Sequence, residues 1–174
     1  MPDELDVAGQ FQELWPDFLT NRTQSEEWEN WALGRQPLPT LPDTARSEIV
    51  ELQKKSVTPW LGLLVQSLAQ ALDTEGYRTA SGADSALWAA WQANRMDSEQ
   101  ASLYEAALTT SVSYLTVLPT GGEFPEWRPY SSAQMTGFYE SPFDEWPKYA
   151  IYGEQLPKWQ LQGADEAWRI MFID

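Results

Sequence analysis

The fold class is decided in residues 112–122, which read VSYLTVLPTGG. Residues 112–118 alternate in polarity and are rich in β-branched and aromatic side chains, the pattern of a half-buried β-strand. The Pro-Thr-Gly-Gly segment that follows favours a hairpin-type turn, and the return strand is expected over residues 126–130. Because helical periodicity precedes this stretch and short strand patterns follow it, the sequence predicts an α+β fold with antiparallel strands.

Three further strands are predicted after this hairpin. Each is a short run bounded by Pro, Gly or Asp residues that favour turns, and the runs are residues 136–140, 148–152 and 167–173. Residues 113–174 are therefore expected to form the strand half of an α+β body, and residues 43–112 its helical half.

Two helices are expected in the first part of that helical half. Asp43 should cap the first one, with Ile49 and Leu52 facing inward. The second should begin after Thr58-Pro59. Its continuous apolar face makes it the expected central core helix, and that face comprises Leu61, Leu64, Val65, Leu68 and Leu72.

Two more helices are expected after a turn and a short strand over residues 75–79. Asp84 should cap the first of them, because its carboxylate can accept the free N–H groups of the opening turn. Asp97 with Gln100 resembles a capping box, which would open the second.

Residues 1–36 form a strongly acidic segment that is expected to be a helical arm. Two short helices are predicted there, because Pro16 should kink or restart the first and a second should run from a cap near Ser25 to Gly34. The first carries an apolar stripe of Phe11, Leu14, Trp15 and Phe18.

Three prolines in residues 37–42 predict an extended linker between this arm and the body, residues 43–174. A chain of 174 residues is usually one domain. At this size folding can bury roughly two-thirds of the surface that the unfolded chain exposes. The body therefore needs neither a disulfide nor a metal ion in order to fold.

The composition excludes several chemistries. The chain has no histidine and no cysteine, so it has no Ser-His-Asp triad, no histidine metal site, no thiol nucleophile and no disulfide. Its 26 acidic and 11 scattered basic residues give a formal charge of −15, which argues against a protein that grips phosphates. We expect no enzyme activity, no cofactor and no metal, and no membrane partner, since the apolar runs are far short of the ~20 residues of a span.

Ten tryptophans leave two interpretations open. Aromatic rings beside carboxylates are typical of carbohydrate-binding or carbohydrate-active modules, which need a stacking surface and a pair of acids. The pairs Trp28 with Trp31 and Trp88 with Trp91 lie at i, i+3 spacing on predicted helices, which favours a core or a subunit interface instead. A third, weaker alternative is an acidic protein that mimics DNA.

The order of several short motifs resembles one known family. Residues 31–39 read WALGRQPLP, residues 57–60 read VTPW, residues 64–78 read LVQSLAQALDTEGYR and residues 83–94 read ADSALWAAWQAN. In this order they resemble the N-terminal part of tailed-bacteriophage portal proteins of the SPP1-like family, particularly those of actinobacteriophages. Residues 97–117 are similar to the helix and strand that follow there, and residues 141–152 fit less closely.

The resemblance implies a structural subunit of a ring at one capsid vertex, with DNA packaging, DNA ejection and head-tail connection as its role and no chemistry of its own. The matched region would be part of the wing, the outer α+β body of a ring of about twelve subunits. DNA would pass through without sequence-specific binding. Implied partners are the terminase, adaptor and major capsid proteins, and the implied location is the virion, with the host cytoplasm during assembly.

In the family that this chain resembles, the channel, clip and crown regions come later in the chain, so no DNA-contacting residue is carried over. A fragment, a portal encoded as two polypeptides and a diverged remnant are the three alternatives that the sequence leaves open. From the residues themselves we expect the acidic arm to pack against a neighbouring subunit, since its stripe is too short to be stable alone. The candidate subunit-interface residues are Phe11, Trp15, Phe18, Trp28 and Trp31.

Overall fold

The computed structural model describes residues 4–157, 160 and 167–173. Within these residues the chain forms five helices and seven strands. The helices are α1 Glu4–Ala32, α2 Ser47–Lys55, α3 Trp60–Ala69, α4 Ser85–Ala93 and α5 Met96–Thr110. The strands are β1 Arg78–Thr79, β2 Gly82–Ala83, β3 Ser113–Leu118, β4 Glu126–Ser131, β5 Met135–Phe138, β6 Tyr149–Gln155 and β7 Trp168–Ile173.

The strands form antiparallel sheets, which confirms the predicted α+β class. Strands β3 and β4 make a hairpin whose register runs from Ser113 opposite Ser131 to Leu118 opposite Glu126. Strands β5, β6 and β7 form a three-stranded sheet in that order, and β1 pairs with β2. All five strands predicted after residue 112 are present, because alternation and turn residues specify short strands locally.

Helix α1 is one continuous helix, so the prediction of two short helices was wrong. Pro16 lies inside it, on the exposed side. A proline there removes a backbone hydrogen bond and costs ~3 kcal/mol. The aromatic rings on both sides of Pro16 offset this cost: Phe11 lies 5.3 Å from Trp15, and Trp15 stacks on Phe18 at 4.9 Å.

Gly34 ends α1, as the sequence predicts. It adopts φ 67°, the left-handed conformation that glycine reaches without steric cost. The N–H of Arg35 then donates to the Asn30 carbonyl at 2.7 Å and the N–H of Gly34 to the Trp31 carbonyl at 3.2 Å. These two bonds form a Schellman motif, which satisfies the last carbonyl groups of the helix.

Helix α3 is not the central core helix that its apolar pattern predicted. Only Val65 and Ala69 are buried in it, whereas Leu64 is 57% exposed and Leu68 49% exposed. Gly62, Val65 and Ala69 lie on one side of α3. Their side chains are small enough for this side to lie directly on α1. As a consequence, the larger leucines point away from the other described elements.

The prediction for α2 was wrong in two respects. The helix is preceded by Arg46 in the N-cap position rather than by Asp43, and Arg46 makes no side-chain capping bond. Ile49 is 48% exposed and Leu52 66% exposed, so neither faces inward. Periodicity identifies one apolar side of a helix, but it does not say whether the same chain covers that side.

The two helices after residue 84 begin differently. Asp84 caps α4 as predicted, accepting from the backbone N–H groups of Ala86 and Leu87. The predicted capping box of α5 is absent because the helix already begins at Met96, after Arg95 in the left-handed conformation. Asp97 accepts instead from the indole N–H of Trp91 at 2.8 Å.

Gln100, the other member of the expected capping box, is buried and connects α5 to the segment after α3. Its amide nitrogen donates to the Asp73 carboxylate at 2.7 Å, and its amide oxygen accepts from the backbone N–H of Thr74 at 3.0 Å. Both ends of the side chain are therefore used in tertiary contacts, and this geometry holds α5 beside the end of α3.

A Gly62→Ala substitution is expected to destabilise the protein strongly. A Cβ at Gly62 would overlap the backbone carbonyl oxygen of Ala32, so α3 would have to move off α1. Overpacking of this kind costs ~1–3 kcal/mol. The matched control is Gly9→Ala in α1, where nothing lies within 4 Å and helix propensity should stabilise the protein slightly. Urea unfolding of both variants measures the difference, and equal stabilities would contradict the close approach.

Candidate subunit-interface surface

The N-terminal half of α1 packs on strand β7 through aromatic rings. Trp15 meets Trp168 edge-on at 5.4 Å, Phe18 meets Trp168 at 6.5 Å, and Phe11 meets Phe172 at 6.4 Å. Such pairs each contribute ~0.5–1.5 kcal/mol beyond the area that they bury. Three of the five predicted interface residues are therefore brought together inside the chain itself.

Phe18 is the centre of this aromatic cluster and is fully buried. Its ring lies so close to Gly153 of β6 that a Cβ added there would come within 2.7 Å of it. Phe18 thus has no surface left for a second chain, whereas Phe11 and Trp15 remain partly exposed.

Arg22 extends the same contact by one turn of α1. Its guanidinium lies 4.8 Å from the centre of the Trp168 ring and donates to the Gly153 carbonyl at 3.2 Å. It also pairs with Glu26 at 2.7 Å. Planar, delocalised guanidinium groups suit this combination of stacking and hydrogen bonding. Arg22 was not proposed as a site residue from the sequence, although it is the one basic residue in α1.

Trp28 and Trp31, the other two predicted interface residues, remain accessible near the end of α1. Trp28 is 50% exposed and Trp31 is 44% exposed. Their contact with another subunit stays a prediction. They are the members of the predicted set with the most surface to offer to another chain.

A larger apolar surface, which we call the α3 ridge, lies on one side of α3 and consists of Trp60, Leu61, Leu64 and Leu68. Trp60 is 74% exposed and Leu64 57% exposed. The sequence contains a signal for this surface, because α3 is apolar on nearly all sides and such helices are normally buried all round. The described part of the chain covers only one side of this helix.

A second apolar surface borders strand β3. The strand buries Thr116 and exposes Leu115 and Val117, which reverses the usual placement of polar and apolar residues. Beside it lies a cleft of about 500 Å³, lined also by Tyr139 and Trp146. Alternation identified this strand correctly, but it does not specify which face would be buried.

No chemical site is evident in the described ranges. Among the residues that the structure describes, no three potential metal ligands lie together. In the same part of the chain, no helix has both the length and the apolar character required to cross a bilayer. The distinctive features of the described surface are therefore its exposed apolar side chains.

An α+β body with an exposed apolar helix face is typical of a protein that assembles with other chains. The family model described as phage portal protein, SPP1 Gp6-like, matches residues 14–155, which is most of this chain. The chain belongs to this family of phage portal proteins, which are structural components of phages. A comparison with curated proteins gave no match.

Truncating a buried aromatic residue of α1 should destabilise the protein more than truncating an exposed one. Phe18→Ala removes a fully buried ring, so the free energy of unfolding should fall by ~3–5 kcal/mol. Trp31→Ala, at a half-exposed position of the same helix, should lower it much less. Chemical denaturation followed by circular dichroism measures both values. Equal losses would show that the aromatic cluster does not hold α1 in place.

Tyr114 on β3 gives a pH-dependent prediction. Burial raises its pKa, and this outweighs the opposing hydrogen bond from the Gly137 backbone. The folded chain then holds the phenol proton more tightly than the unfolded chain. The contribution of Tyr114 to the stability of the fold is complete below the ordinary tyrosine pKa of 10.0. It is lost as the pH rises through the raised pKa of the folded chain. Tyr114→Phe should therefore reduce the alkaline loss of stability, measured by urea unfolding between about pH 8 and pH 11.

Proposed function

We propose that this chain is a subunit of the portal ring at a capsid vertex, where it forms part of the wing. Family membership supports a portal role, and the α3 ridge is the observation on this chain that favours assembly. A single subunit leaves Trp60, Leu64 and Leu68 in water, and a neighbouring chain that covers them would remove that exposed apolar area.

The ring is proposed to contain about twelve copies, arranged by cyclic symmetry. Its role is to support DNA packaging and ejection and to connect head and tail, as a structural part without chemistry of its own. Terminase, adaptor and major capsid proteins are its proposed partners. The proposed location is the capsid vertex of the virion, after assembly in the host cytoplasm. An actinobacteriophage source fits the sequence resemblance.

The charge of the chain is consistent with this role. At −15 per subunit, about twelve copies would carry a formal charge of about −180. A surface of that sign repels the phosphates of a duplex, so DNA would move past it without being held. The acidic arm, residues 1–36, and the linker, residues 37–42, are proposed to contribute to subunit contacts, with Trp28 and Trp31 as the accessible residues.

The molar mass of the purified chain, measured by light scattering, tests this proposal. Measurements at low and moderate salt are required, because like-charged subunits assemble more readily once their charges are screened. We expect a large closed oligomer. A chain that stays monomeric at every concentration and salt would contradict the proposal.

Two variants test whether the contact between subunits lies at the α3 ridge. Leu64→Asp places a charge on the ridge and should shift the mass towards the monomer. Phe143→Asp is the matched control, because Phe143 is also apolar and is 96% exposed but lies in the loop before β6. Its mass should remain that of the wild type. Loss of assembly in both variants, or in neither, would show that the ridge is not the specific contact. Circular dichroism confirms that each variant is folded.

A further inference from the structure

A ring of identical subunits needs two different contact surfaces on every subunit. Copies that meet through one and the same surface form a closed dimer, in which that surface is used up. A ring of more than two copies therefore forms only when one surface of each subunit binds a different surface of the next. The α3 ridge can supply the first of these surfaces, so the second is expected elsewhere on the same chain.

The ridge is convex, and its most exposed side chain is Trp60, at 74%. Leu64 follows one turn later on the same side. The start of the helix is held in place, because the N–H of Trp60 donates to the Thr58 carbonyl at 2.8 Å. Pro59 lies so close to Gly34 that a Cβ added to the glycine would come within 3.2 Å of it. The backbone that carries Trp60 is thus ordered before a partner arrives, which lowers the cost of binding.

The cleft beside β3, which we call the β3 cleft, is concave and of suitable size. Its volume of about 500 Å³ lies within the ~300–1,000 Å³ of cavities that hold small organic molecules. An indole ring therefore fits inside it, although a whole helix does not. Leu115, Val117, Tyr139 and Trp146 give it an exposed apolar lining. Among the described residues that line it, none belongs to α3, so the ridge of the same chain does not fill it.

Both surfaces are uncharged, although the chain as a whole carries −15. None of the residues of α3 is charged, and none of the described residues that line the β3 cleft is charged. Beside the cleft, Glu140 pairs with Lys148 at 3.3 Å, and Glu145 is not part of the lining. Copies of like charge repel each other least where they meet through uncharged surfaces, and the buried cores of interfaces are depleted in charged residues. A second copy of this chain is therefore a suitable occupant of the cleft.

We infer that the α3 ridge of one subunit docks on the β3 cleft of the next, with Trp60 as the anchor that enters the cleft. Tryptophan is enriched among the interface residues that contribute most of the binding energy, and such residues fill desolvated pockets. The leucines of the ridge would cover exposed side chains at the rim, Leu115 and Val117 among them. The inference rests on the proposed function, because it is a ring that requires two different surfaces.

Two charged variants test the contact by complementation. Leu64→Asp disables the ridge and leaves the β3 cleft intact, whereas Val117→Asp disables the cleft and leaves the ridge intact. Each variant alone should be monomeric by light scattering. Their mixture should form a heterodimer and nothing larger, because only one ridge and one cleft remain usable. Both positions are exposed, so both variants should fold, which circular dichroism checks.

A ridge that binds another ridge gives a different result. Val117→Asp would then assemble like the wild type, because its ridge is unchanged. Its mixture with Leu64→Asp would contain no heterodimer, since one of the two ridges carries a charge. Either result would overturn the inference, and so would assembly of both variants alone.

The anchor is tested by Trp60→Ala, introduced into the Val117→Asp chain. Loss of a central anchor should weaken binding to the Leu64→Asp chain on the order of 30-fold, measured by isothermal titration calorimetry. The matched control is Leu52→Ala in the same chain, which truncates a side chain of α2 that is 66% exposed and lies outside both surfaces. Its dissociation constant should not change. Equal dissociation constants for the two variants would contradict the role of Trp60.

A disulfide test detects the contact even where assembly is weak. The chain has no cysteine, so Leu64→Cys and Val117→Cys place a single thiol on the ridge and in the cleft. The two chains are mixed and oxidised, with one of them tagged so that heterodimers are identified by mass. The control mixture pairs Leu64→Cys with Ser81→Cys, an exposed position at the β1–β2 turn, and should give on the order of tenfold less heterodimer. Equal yields, or no heterodimer in either mixture, would overturn the inference.

These results separate the inference from the proposed function. A large oligomer of the wild type without complementation and without the cross-link would leave the portal role standing and remove the docking of ridge on cleft. A specific cross-link in a chain that never forms a large oligomer would support the docking and count against the ring. Another protein as the occupant of the cleft would give neither the heterodimer nor the cross-link.

Discussion

Helix α1 is the element on which the rest of the molecule depends, because it joins the helical half to the three-stranded sheet, while α5 joins the helical half to the β3–β4 hairpin. Its aromatic residues pack on β7, and Ser25 receives a hydrogen bond from Ser132 at 2.8 Å beside β5. At its other end the Ala32 carbonyl lies against Gly62 of α3. Without α1 these parts would share far less buried surface.

The tryptophans of the chain fall into two groups, one packed inside the body and one exposed to solvent. Trp88, Trp91 and Trp127 contact one another inside the body, with Trp88 stacked on Trp91 at 6.1 Å and Trp91 meeting Trp127 edge-on. These rings fill space between α4 and the β3–β4 hairpin, which supports the core interpretation of the Trp88–Trp91 pair. The tryptophans on the α3 ridge and near the end of α1 instead face solvent.

Several local features were predictable from the sequence, although the caps expected at Asp43 and Asp97 are not formed. Relations between distant segments were not predictable. The strands after residue 112 and the Asp84 cap follow from neighbouring residues alone. The continuity of α1 through Pro16 depends on β7, which lies some 150 residues further along the chain. Prediction of the candidate interface surface was limited in the same way, because it too depends on contacts between distant segments. Spacing identified Trp28 and Trp31, but the exposure of the α3 ridge depends on Gly62 bringing the opposite side of α3 onto α1.

The uneven exposure of the tryptophans gives the protein an intrinsic optical signal. Trp28, Trp31, Trp60 and Trp146 are between 44% and 77% exposed, and indole emission shifts to shorter wavelength when water leaves the ring. Emission from the buried Trp91 would remain nearly constant while chains associate. Association at the ridge could therefore be followed in real time by fluorescence of the unlabelled chain, at concentrations well below those that scattering requires.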